Sequence, residues 1–129
     1  MPNSLTSLTP AVASDGTDLA ACHDGTCEVR VDGPAKIPLS AQFQVTDLRV
    51  ESINSQSVTL QAVTALGGPA SFGCAGKGCR LSAVESSSTE PTTATARAFV
   101  GTVFTANRIR IEVVAISDGS AILRFAPVK

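Results

Sequence analysis

Residues 108–127 read RIRIEVVAISDGSAILRFAP, two apolar runs joined by Asp118-Gly119. Asp-Gly suits the φ > 0 positions of a two-residue hairpin turn. With that loop, Ile116 is expected opposite Ala121 and Val114 opposite Leu123, and Ile109, Ile111, Val113 and Ala115 line the other face with Ile122. Further from the turn, Arg108, Arg110 and Glu112 alternate with the isoleucines, so the hairpin base has one wet face while its tip is covered on both sides. The pattern predicts an all-β fold, an antiparallel β-sandwich or partly closed small barrel of about seven to nine strands with this hairpin central.

A similar pattern occurs earlier. Phe43, Leu48-Arg49-Val50-Glu51, Ile53, a polar NSQS turn and Val58-Thr59-Leu60 match Phe104, Ile109-Arg110-Ile111-Glu112, Ile116, SDGS and Ala121-Ile122-Leu123. One self-match is too few for a solenoid and points to two related hairpins. Arg49/Glu51 and Arg110/Glu112 read as solvated charges on strand faces.

At 129 residues and 43% apolar composition, the chain has the size of one domain with a real core, and it holds no apolar run long enough to span a membrane. The formal charge of -1 and the interspersed signs leave no basic stripe along the sequence, so nucleic acid is not an expected partner. With five Phe and no Trp or Tyr, the usual stacking platforms for sugars and bases are missing, and carbohydrate binding is disfavoured.

Residues 1–20 read as an N-terminal tail or leading strand without the basic start and apolar centre of a signal peptide, and residues 21–129 as a single β-domain. CEVRVD predicts a strand ending at Gly33-Pro34, and Ile37-Pro38-Leu39 a short extended edge piece. Residues 43–53 and 56–66 form the first hairpin, residues 80–84 a short strand, and residues 96–105 a strand leading into the last hairpin. The Ser/Thr/Pro stretch 86–95, SSSTEPTTAT, predicts a mobile loop.

The residues with chemical character are the cysteines, Cys22-His-Asp-Gly-Thr-Cys27 and Cys74-Ala-Gly-Lys-Gly-Cys79, two C-x4-C loops with turn-forming glycines. Local disulfides are the simplest connectivity, four cysteines allow three, and a zinc site of Cys22, Cys27, Cys74 and Cys79 is the rival. His23 and Asp24 sit in the first loop and Lys77 at the apex of the second, which makes them candidate interaction residues. A Ser-His-Asp site would have to use the sole histidine, His23, and Cys74 stands where a phosphate loop starting at Gly68 needs lysine. No catalytic set and no cofactor site are therefore expected.

CHDGTCEVRV, GPAKIPL, Phe43 with Leu48-Arg49-Val50, and AISDGSAILRF together resemble small β-rich domains of unassigned function in actinobacterial proteins, often found outside the membrane. The resemblance implies an extracytoplasmic setting and brings no functional residues. The C-x4-C hairpin is also similar to that of enediyne chromoprotein apoproteins, which implies a small-molecule carrier. The expected function is a non-catalytic extracytoplasmic binding or protein-interaction module with cysteine-anchored loops, its partner a protein or an unidentified ligand. The alternatives are a secreted protease inhibitor presenting Lys77, a small-molecule carrier, a cytoplasmic zinc domain or an enzyme. Extracytoplasmic placement would require a targeting segment beyond this sequence; otherwise the chain would remain cytoplasmic.

Overall fold

The computed structural model describes residues 12–84, 91–117 and 119–128. Its strands are β1 (Cys27–Val31), β2 (Ala35–Lys36), β3 (Asp47–Ile53), β4 (Ser57–Val63), β5 (Phe72–Ala75), β6 (Arg80–Val84), β7 (Thr93–Phe99), β8 (Val103–Ala106), β9 (Ile109–Ser117) and β10 (Ser120–Pro127). They form two five-stranded antiparallel sheets, β1-β10-β9-β8-β5 and β2-β3-β4-β7-β6. The fold is an all-β sandwich, with ten strands where the sequence predicts seven to nine and without barrel closure.

Alternation decides which side of each strand is inside. In β7, Ala94, Ala96 and Ala98 are fully buried, and in β4 so are Val58, Leu60 and Ala62. Facing them from the first sheet are Phe104, Ile109, Ile111, Val113, Leu123 and Phe125. Small residues on one sheet opposite large ones on the other let the two layers interdigitate at interior density.

The two hairpins of the self-match fall one in each sheet, β3–β4 and β9–β10, and each first strand carries a bulge. In the second hairpin Ile116 opposes Ala121, as expected, but the register then shifts and Leu123 opposes Val113 instead of Val114. The extra residue, Val114, is only half-buried, whereas Val113 and Leu123 are fully buried. A bulge re-aims the strand so that residues 109, 111 and 113 keep the core face and Leu123 joins them. The corresponding extra residue in β3 is Glu51, between the Val50/Leu60 and Ser52/Thr59 pairs.

Other boundaries differ from expectation. The edge strand after Gly33-Pro34 is Ala35–Lys36, because Pro38 cannot donate to a ladder, although Ile37 N–H still donates to Leu48 O at 2.8 Å. Phe43 belongs to a 3-10 helix, Ala41–Phe43, and β3 starts only at Asp47. Of the expected loop 86–95, residues 86–90 lie outside the described residues, while Thr93, Ala94 and Thr95 open β7. There a fully buried alanine stands between two half-buried threonines, so Ala94 supplies the apolar anchor that draws the segment into the sheet. The expected strand 96–105 is broken at residues 100–102, where Gly101 has φ +88° and Thr102 Oγ1 accepts from Phe99 N–H at 3.0 Å and donates to Phe99 O at 2.7 Å.

Of the expected N-terminal tail, residues 1–11 lie outside the described residues, and residues 14–16 run along the open edge of β1. Asp15 N–H donates to Glu28 O at 2.9 Å, Glu28 N–H to Asp15 Oδ2 at 2.9 Å, and Arg30 N–H to Gly16 O at 2.7 Å. An edge strand is thereby covered without a sixth strand.

Candidate functional site

Both cysteine pairs are local disulfides, Cys22–Cys27 with Cα atoms 5.0 Å apart and Cys74–Cys79 with Cα atoms 5.8 Å apart. The four-thiolate zinc alternative is corrected by this pairing, because every cysteine is bonded to its near neighbour and the two pairs stand at opposite edges of the first sheet. Four strand spacings separate them, about 19 Å. Among the described residues no cluster of three His, Cys, Asp or Glu side chains could hold a metal ion.

The sequence-derived candidates divide in the same way. His23 and Asp24 are exposed at the β1 edge, where Asp24 Oδ1 accepts from Thr26 N–H at 3.0 Å and so shapes the turn. Lys77 is exposed at the β5–β6 edge. The structure does not bring these residues together.

The Cys22–Cys27 loop instead braces one end of the sandwich. Gly25, at φ +83°, lies against the Phe43 ring so closely that an added Cβ would stand 2.2 Å from Cζ. His23 O accepts from Ser40 N–H at 2.9 Å. Beside this support lies a groove of about 460 Å³ lined by Leu39, Ala41, Gln44, Val45, Thr46, Ala65 and Pro69. Its size and mainly apolar lining are those of a small-ligand site.

Asn107 ties the two walls of the groove. Its Nδ2 donates to Gln44 O at 2.6 Å and to Pro69 O at 2.9 Å, while its Oδ1 accepts from Ser71 N–H at 2.8 Å. Asn107 and Gln44 are the two non-glycine residues with positive φ among the described residues, at 48° and 63°. Asparagine tolerates this conformation, whereas glutamine is held there by its surroundings. The sequence reading missed both residues; Asn107, between the β8 and β9 runs, is a turn signal that could have flagged the position.

The outer face of the first sheet is an ion-pair ladder. Arg124 stands between Glu28, at 2.8 Å, and Glu112, at 3.3 Å, and hydrogen bonding to Glu28 raises its pKa further above the ordinary arginine value. Near the β9–β10 turn, Asp32 accepts from Arg30 Nε at 2.9 Å and from Ser120 Oγ at 2.7 Å, and these two partners hold its carboxyl below the ordinary value. Of the strand charges expected to be solvated, Arg49 pairs with Asp47 at 2.8 Å and Glu112 with Arg124.

No family model, curated protein or solved structure matches the chain. Fold and site define its class: a disulfide-bonded β-sandwich with one braced, grooved end.

Proposed function

We propose that the protein is a non-catalytic extracytoplasmic binding module whose ligand-contacting surface is the grooved end of the sandwich. The observation that carries this reading is the Asn107 clamp, which commits three hydrogen bonds to fixing the two loops that line the groove relative to each other. The two disulfides support an oxidising compartment. Among the described residues no helix is long and apolar enough to cross a membrane. The non-catalytic part of the reading is supported by the exposed position of the sole histidine and by the engagement of every cysteine sulfur in a disulfide.

The inhibitor reading has less support. Around Lys77 the backbone folds as a turn, with Gly76 at φ +115°, Gly78 at φ +84° and Cys79 N–H donating to Gly76 O at 3.4 Å, whereas a protease aligns an extended segment.

The test is an NMR titration of the oxidised protein with 8-anilinonaphthalene-1-sulfonate, an amphipathic probe. Saturable shifts confined to residues 39–46 and 65–69, abolished by Ala65→Trp, are expected. Shifts distributed elsewhere, or none, would overturn the assignment of the groove.

A further inference from the structure

The outer face of the second sheet gathers cations that are far apart in sequence. Arg80 on β6 and Arg97 on β7 are direct cross-strand partners, and both are exposed. In the next row Lys36, Arg49, Gln61, Thr95 and Ser82 run across all five strands. Four strands therefore contribute one cation each, although the chain as a whole is slightly acidic.

Like charges directly opposite one another destabilise a sheet. Neither Arg80 nor Arg97 has a carboxylate partner among the described residues; Arg97 Nε donates only to Ser57 Oγ at 3.3 Å. Arg49 is half satisfied, with Nη2 on Asp47 and a buried Nε that has no partner. The Cys74–Cys79 disulfide fixes the chain immediately before Arg80, and exposed Lys77 lies within the same loop. The arrangement roots two arginines on directly paired backbone positions one strand spacing apart, from which both side chains can turn to a single oxyanion and each donate a bidentate pair.

We propose that this face binds an acidic polysaccharide, seating a carboxylate or sulfate between Arg80 and Arg97. Around the arginines the outward positions Thr59, Gln61, Thr95 and Ser82 carry hydroxyl and amide groups, which recognise a polyhydroxylated chain, and the aromatic on this face, Phe99, is half-buried. Arg49 lies two strands from Arg97, about 10 Å across the sheet, so a second anion one disaccharide along the chain falls within its reach. Recognition is by guanidinium and hydroxyl, which is why the missing aromatics do not exclude a sugar ligand. The surface is separate from the groove.

Binding of heparin and polygalacturonate oligosaccharides, as sulfate and carboxylate sources, is measured by calorimetry at low and physiological salt, with dextran and a single-stranded oligonucleotide as comparisons. At least one acidic oligosaccharide is expected to bind with salt-dependent affinity and dextran not to bind. Arg80→Gln with Arg97→Gln should weaken binding at least tenfold without lowering the melting temperature, and Ala65→Trp should leave it unchanged. No binding of either acidic chain, equal binding by the double variant, loss in Ala65→Trp, or stronger binding of the oligonucleotide would each overturn the proposal.

Discussion

Cys27 and Cys74 terminate the same cross-strand row of the first sheet. The row runs Cys27, Phe125, Ile111, Phe104, Cys74, so a disulfide stands at each end of a line of three large buried side chains. The ends are not equivalent, since Cys22 and Cys27 are both core residues and Cys74 and Cys79 are half-buried.

Alkylation of the unfolded, non-reduced protein is therefore expected to label no cysteine, and peptide mapping to recover both local pairs. Replacing Cys22 and Cys27 together by alanine should cost more than replacing Cys74 and Cys79. Each short loop is worth about 2 kcal/mol of chain entropy, and the first pair loses core packing as well. Equal denaturation midpoints for the two double variants would contradict the asymmetry.

Leu123→Ala should destabilise by about 2 to 5 kcal/mol, through lost burial and a residual cavity. Val113→Ala should cost clearly more than Val114→Ala, because the bulge puts Val113 opposite Leu123. The reverse order in urea denaturation would restore the unbulged register.

Asn107→Gly retains the backbone conformation and removes the clamp, so it should cost about 1 to 3 kcal/mol. Amide exchange at Ser71 should accelerate with it, since that N–H loses its acceptor. Asn107→Asp should cost at least as much, because a carboxylate oxygen would then face the carbonyls of Gln44 and Pro69. Unchanged exchange at Ser71 in the glycine variant would remove the clamp from the account.

Asp32 gives a pH dependence whose sign follows from its two hydrogen-bond partners. Its folded carboxyl lies below the ordinary value, so its interactions with Arg30 and Ser120 favour the folded state at neutral pH and are lost as the pH falls through the folded value. Asp32→Asn should lower the urea midpoint slightly at neutral pH, and the difference from the parent protein should vanish below the ordinary carboxylate range. A difference that persisted in acid would assign the effect to packing.

The fold class was legible because alternation and the Asp-Gly turn are local signals, and so was the pairing of cysteines five residues apart. The bulge was not, since Val113 and Val114 are the same residue type and either would pair acceptably with Leu123. The groove draws on residues 39–46, 65–69 and 107, which only the tertiary structure unites. The basic face was hidden for the same reason: Lys36, Arg49, Arg80 and Arg97 each look like an isolated solvated charge in the sequence.

The strand order also sets a sequence of assembly. The second sheet uses only residues between Ala35 and Phe99, whereas β10 must insert between β1 and β9 to finish the first. A chain emerging from its N-terminus can therefore pair the whole second sheet while Leu60 and Ala96 still lack the layer that will cover them. Contacts as distant as Cys27 with Phe125 close slowly because the loop entropy comes first. Until Phe125 and its strand are in place, the apolar face that carries Leu60 and Ala96 has no complete layer over it.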